Sequence, residues 1–188
     1  QRDIAECVQG WNYGIALSQW DLYFLEYLLW SDAKLDGCRQ LEATTSKYAE
    51  TLVNSKVTEV KESLLNFDWE TFKARVGMDS IRIVTRGAVE HWLAQDKAEL
   101  KGDKDGELKM RHGFGNLALI DASTNSSLSK DEVSGKSKIV LQMSNPSLKL
   151  LWLAVFCSRF PTFEGKDVAC ITEFWARYLS DFVFPDVR

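Results

Sequence analysis

Only two histidines occur among the 188 residues, and one of them, His91, stands directly after a carboxylate, Glu90. The pair closes a stretch that opens with the β-branched run Ile81-Arg82-Ile83-Val84-Thr85, which places it at the end of a predicted strand. Neighbouring side chains on a strand point to opposite faces, so Glu90 and His91 can take different tasks. An imidazole near its free pKa accepts a proton at neutral pH, and a carboxylate oxygen suits a hard divalent cation. Further along, Gly115-Asn116 leads into a second short apolar run, Leu117 to Ile120, and the polar segment Asp121-Ala122-Ser123-Thr124-Asn125 follows it. The order is strand, loop, strand and polar helix start, with a carboxamide at Asn125.

This order resembles the HNH nucleases, also called ββα-metal or His-Me finger nucleases, in which two strands and a helix clasp one divalent ion. Within that group three segments look most like the C-terminal nuclease domain of GmrSD-type modification-dependent restriction enzymes. They are Glu90-His91 with Gln95, Gly115-Asn116-Leu117 with Leu119-Ile120, and Asn125-Ser126 with Leu128-Ser129 and a following lysine. The resemblance covers residues 80–138 and extends to Trp11-Asn12-Tyr13 and residues 21–30, which are similar to the helix preceding the nuclease core.

The resemblance implies a divalent-metal-dependent DNA endonuclease of the restriction and phage-defence type. His91 is then the general base that takes a proton from the attacking water, and Glu90 with Asn125 are oxygen ligands to Mg²⁺ or Mn²⁺. Asn116 supports the loop between the strands, with Gly115 permitting a tight approach. Lys136, with Lys130, either contacts the scissile phosphate or lies on a solvated helix face. The partners implied are DNA, modified phage DNA among it, and an upstream nucleotide-dependent domain.

Two other readings stay open. In one, the chain is a non-cleaving helical recognition or assembly module that keeps a degenerate HNH scaffold; Ala94, where the family usually carries Pro, and the acidic balance favour it. In the other, the chain is a mainly helical scaffold and His91 an ordinary strand-end residue.

Composition bounds the class. At 45% hydrophobic and 12% aromatic the chain can bury a sizeable core. A formal net charge of -4 counts against tight autonomous DNA binding, because affinity for phosphate depends on lysines and arginines that release counterions. An upstream domain or a homodimer partner is expected to supply the missing grip, and a start at Gln1 without an initiator Met suits a piece of a longer protein. Lys149 and Arg159 interrupt the most apolar stretch, residues 148–160, so no membrane span is expected. Cys7, Cys38, Cys157 and Cys170 show no CxxC pairing and suit buried thiols in a reducing cytosol, hence a cytoplasmic protein without structural zinc.

The expected fold is α+β and mainly helical, a small ββα-metal nuclease core flanked by N- and C-terminal helices. It divides into a helical region over residues 1–79, the HNH-like core over 80–145, and C-terminal helices over 146–188 packing on the same core. Residues 1–30 read as helical, with Ser18 an N-cap and so little polar face that the helix must be buried. A turn over 32–37 precedes one long amphipathic helix over 44–66, and Asp68 caps a shorter one over 69–76. The loop over 96–113 is charged and glycine-punctuated; it lacks the acidic positions of an EF-hand. Just before the second strand stands His112, read as a loop histidine without a catalytic role, phosphate or metal contact being the alternative. A brief helix over 129–135 comes next, and 139–143 is either strand or helix. Asn145-Pro146 signals the start of a buried helix over 147–160, and a last helix runs over 165–182.

Overall fold

A computed structural model describes residues 4–11, 17–36, 39–52, 57–77, 87–93, 112–128, 132–160 and 163–183. The architecture is mainly helical α+β with a small antiparallel two-stranded sheet. The helical region before the sheet comprises α1 (Ile4–Gln9), α2 (Gln19–Asp36), α3 (Arg39–Thr51), α4 (Thr58–Leu65) and α5 (Trp69–Gly77). Strands β1 (Gly87–His91) and β2 (Leu117–Asp121) follow, joined to α6 (Ala122–Leu128), α7 (Val133–Gln142), α8 (Leu148–Arg159) and α9 (Gly165–Tyr178), with a π-helical turn at Leu179–Val183.

The centre of the core is α8. Every residue from Lys149 to Cys157 is buried, and α2, α4, α5, α7 and β2 all pack on it. Trp152 organises the aromatic packing, with Phe156 and Phe174 nearly parallel to it at centroid distances of 5.5 and 4.9 Å and Phe67 at 5.5 Å. Offset stacking of this kind adds to the burial of large apolar area.

Several expectations about the helices are corrected. The turn expected over 32–37 does not form at 32–36, because α2 runs on to Asp36. The single helix over 44–66 is two, α3 and α4, each turning a different buried set to the core: Leu41, Thr45, Tyr48 and Ala49 on the first, Val60, Ser63 and Leu64 on the second. Nor is α2 buried all round. Leu22, Leu25 and Leu29 face the core while Trp20, Phe24 and Tyr27 are exposed, so one helical face presents three aromatic rings to solvent. Residues 139–142 are helical, part of α7.

The start of α8 also differs. The N-cap is Ser147 rather than Asn145, and its hydroxyl donates to Leu119 O at 2.6 Å instead of capping. The amides of Leu148 and Lys149 donate to the two carboxylate oxygens of Glu26 on α2, at 2.7 and 2.9 Å. An anion at a helix N-terminus satisfies orphan N–H groups and complements the helix dipole, which explains how a carboxylate can be buried in an apolar helix. Other terminal signals hold as read: Ser18 precedes α2 and is hydrogen-bonded to Asp21, and Asp68 accepts Thr71 N–H at 3.0 Å at the start of α5. Among the described residues no helix is long and apolar enough to cross a membrane.

Candidate active site

The hairpin is held in place from three sides. β1 and β2 pair with Glu90 opposite Ala118 and His91 opposite Leu117. Gly87, the first residue of β1, is tied to α2: its N–H donates to the Tyr23 hydroxyl at 3.0 Å, and Gln19 Nε2 donates to its carbonyl at 2.6 Å. The entry to β2 is a 3₁₀ turn, Phe114–Asn116, pressed against α9. At Gly115 a Cβ would lie 2.5 Å from both Thr172 N and Val168 O, and the Gly115 N–H donates to Thr172 Oγ1 at 2.9 Å. Close backbone approach, as the sequence suggested, is what glycine provides here.

Buried Lys149 completes this turn. Its ammonium donates to Phe114 O at 2.7 Å and to Leu117 O, and it lies over the Phe114 ring, 4.6 Å from the centroid. Burial pushes it down to about 7, opposed by the charge of Glu26, whose own carboxyl burial pushes up. In the sequence this lysine is an interruption of an apolar run; the signal missed was its spacing from Ser147, which sets both at the start of one helix beside β2.

Asn116 fastens the segment after His91. Its backbone carbonyl accepts Trp92 N–H at 2.8 Å, its Oδ1 accepts Leu93 N–H at 2.6 Å, and its Nδ2 donates to Leu93 O at 3.1 Å. The carboxamide acts as one more rung of the ladder beyond β1. Trp92, fully buried, donates from its indole to Cys157 Sγ at 3.2 Å.

At the end of β1, Glu90 is buried and ion-paired with Lys136 on α7, whose ammonium also donates to His91 O at 2.9 Å. Lys136 is only 1% exposed, so the solvated-face reading is corrected, and contact with a phosphate would require the ammonium to leave both oxygens. Desolvation raises the Glu90 carboxyl, with the hydrogen bond and charge of Lys136 acting the other way. His91 is lowered to about 4, first by burial and then by His112 and Lys136, so its imidazole is neutral at neutral pH. Its Nε2 lies 3.0 Å from Nδ1 of His112. Sequence reasoning set His112 aside as a loop residue; that the chain holds just one other histidine was the available signal.

Asn125 stands on α6, which packs on both strands. Asp121 starts that helix, accepting the N–H groups of Ser123 and Thr124 at 2.8 and 3.3 Å. The Oδ1 of Asn125 is buried without a hydrogen-bond partner among the described residues. The structure therefore joins Glu90, His91, Lys136 and His112 by direct contacts, and Asn116 to the segment that follows them. It gives Asn125 no bond to this group. Lys130 and Ala94, with most of the loop between the strands, lie outside the described residues. Among the described residues no group of three or more His, Cys, Asp or Glu side chains is placed to hold a metal.

A family model described as "GmrSD restriction endonucleases, C-terminal domain" matches residues 21–153, from α2 through the first half of α8. The chain belongs to this family. No curated protein and no solved structure matches it. The GmrSD C-terminal domain match takes in α2 from Asp21 onward, the hairpin, α6, α7 and the Ser147–Lys149 segment, so the structural supports of the hairpin lie mostly inside it. Membership makes this a restriction-endonuclease-type domain, whose substrate is DNA.

Proposed function

We propose that the chain is an HNH-type, divalent-metal-dependent DNA endonuclease domain, with His91 as general base and Glu90 and Asn125 as metal ligands. The observation that carries this reading is the buried Oδ1 of Asn125, without a hydrogen-bond partner among the described residues, on the helix packed against the strand that ends in Glu90-His91. A buried carbonyl oxygen left without a donor is costly, and a cation is one way to satisfy it. The donor set, one carboxylate and one carboxamide, suits Mg²⁺ or Mn²⁺, which keep several waters and take few protein ligands alongside substrate phosphates. When bound, such an ion supplies Lewis-acid stabilisation to the pentavalent phosphate and the leaving oxygen.

The protein's own residues do the rest. His91, neutral at neutral pH because it is buried, accepts the proton of the attacking water. Asn116 keeps the chain after His91 from shifting, and Lys136 offsets the Glu90 charge from inside the core rather than gripping phosphate. With a net charge of -4, most of the grip on DNA comes from elsewhere in a longer protein or from a second copy; an upstream nucleotide-dependent domain and modified phage DNA are part of this proposal.

One observation favours a non-cleaving scaffold instead: the ammonium of Lys136 already provides the cation that Glu90 needs. Cleavage of plasmid and phage DNA with Mg²⁺ or Mn²⁺ against EDTA, beside His91→Ala, separates the two. Metal-dependent cutting lost in the variant supports the nuclease. Equal cutting by both proteins removes His91 from the mechanism.

A further inference from the structure

We propose that the exposed aromatic stripe of α2 is a dimer interface, whose partner is the same stripe on a second copy of this chain. Trp20, Phe24 and Tyr27 are 78, 54 and 55% exposed, whereas Leu22, Leu25 and Leu29 across the helix are buried in the core. Spacings of four and three residues line the three rings up over about 10 Å, the pattern by which one helix packs lengthwise on another. The stripe is braced from within. The Trp20 ring leans on that of Tyr23, centroids 5.7 Å apart, and the Tyr23 hydroxyl accepts the Gly87 N–H. Beyond Tyr27, the Ser31 hydroxyl donates to Tyr27 O at 2.9 Å, so that polar group is satisfied when covered.

Charge, symmetry and area select the partner. Residues 3–33 contain no lysine or arginine and Asp21 stands exposed on the flank, so α2 itself supplies no cation for phosphate. A helix lying on an anionic lipid surface needs the same cations. A face of rings without charge matches the core of a protein interface, where Trp, Tyr and Phe are enriched and ionised groups are few. The stripe also complements itself. Two antiparallel copies of α2 related by a twofold axis at Phe24 set Phe24 on Phe24 and each Trp20 beside Tyr27 of the partner subunit. The two Asp21 carboxylates then fall about 9 Å apart along the axis, near the screening length of physiological salt. At about 150–250 Å² per aromatic side chain, these exposures leave about 280–470 Å² of ring surface open on each copy. Two copies, with half-exposed Tyr23, Leu28 and Ser31 at the rim, reach about 1,000 Å², the lower end of what a specific interface buries. Because Gln19 and Tyr23 on the same helix hold Gly87, the dimer attaches both hairpins to one axis. It requires neither metal nor cleavage.

Sedimentation of the parent, Phe24→Glu and Phe24→Lys tests the interface. A contact this small gives a reversible dimer with a Kd of about 10–100 µM, so the parent is expected mostly monomeric at about 3 µM and mostly dimeric at about 300 µM. Residue 24 is exposed in the single copy, so both variants are expected to melt with the parent at the low concentration. Each variant alone is expected to stay monomeric at about 300 µM, because the axis sets like charges face to face, and an equimolar mixture to recover a dimer with a Kd within about tenfold of the parent's. A single variant that dimerises as the parent does, or a mixture that stays monomeric, puts the contact elsewhere and overturns the proposal. A parent monomeric at every concentration overturns it too; single-stranded DNA or phosphatidylglycerol vesicles that bind the parent and not Phe24→Glu would then give the rings to bases or to lipid.

Discussion

Replacing Lys136 by Met tests the ion pair under the hairpin. The substitution keeps an unbranched stem of similar volume, so packing accounts for less than about 1.5 kcal/mol. It removes the cation from a carboxylate whose side chain is 5% exposed, and takes a donor from His91 O. Breaking a buried pair by deleting one partner costs about 3–5 kcal/mol, because the remaining charge stays in the interior. In a chain of this size each kcal/mol moves Tm by about 2–4 °C, so Lys136→Met in EDTA is expected to melt about 6–20 °C lower than the parent. Adding Glu90→Gln removes the stranded charge and is expected to return more than half of the loss, a coupling of at least about 2 kcal/mol in the double-mutant cycle. Differential scanning fluorimetry in EDTA, checked by urea denaturation, reads both. A fall of less than about 3 °C, or a double variant no more stable than the single one, would refute the reasoning. If Glu90 is also a metal ligand, Mg²⁺ at about 100 times its Kd contributes up to about 2.7 kcal/mol and stabilises Lys136→Met more than the parent, in which the ammonium competes for the same oxygens.

Three further outcomes are expected. Gly115→Ala drives a methyl group into the backbone of α9 at Thr172 and Val168, which cannot give way as a side chain could, and costs about 1–3 kcal/mol or more; a Tm unchanged within about 1 °C would show that the turn is not pressed on that helix. Asp167, fully buried in the capping box of α9, has its carboxyl raised to about 6 by burial, so its contribution to stability is fully present below about pH 4 and is lost as pH rises through 6. Asp167→Asn is therefore expected to gain about 1–2 kcal/mol over the parent at pH 8 and nothing at pH 4, as read by melting at both pH values; a gain of equal size at the two would remove the titration as its cause. On α2, Phe24→Ser is expected to change stability by less than about 0.5 kcal/mol while Leu25→Ala costs about 2–5, since the first ring is exposed and the second side chain is in the core; similar losses would place both in packed surroundings.

The sequence made local features plain and left long-range ones hidden. β2 and the polar helix of Asn125 follow from patterning that each segment carries by itself, and the Gly115-Asn116 step already implied a tight turn; the run over residues 81–85 that predicts the first strand lies outside the described residues, and β1 begins at Gly87. The pairing of Glu90 with Lys136 depends on the path α7 takes back to β1, which no local pattern encodes. Asn145-Pro146 is the local start signal, yet the helix begins after Ser147, where Glu26, more than a hundred positions earlier, supplies the anion that the first amides of α8 need. Aromatic richness in α2 predicts burial, yet periodicity alone gives two apolar faces and does not say which one the neighbours cover. The contact of His112 with His91 joins residues from the two ends of the loop between the strands, which no local pattern encodes.

Residues 147–149 make three attachments in one turn of helix: Ser147 to β2, the amides of Leu148 and Lys149 to α2, and the Lys149 ammonium to the turn before β2. The hairpin thus cannot detach without unseating the first turn of the most deeply buried helix, and its opening should exchange amide protons at nearly the free energy of global unfolding. The hairpin cut out as a minimal peptide would lack the contacts that give it shape.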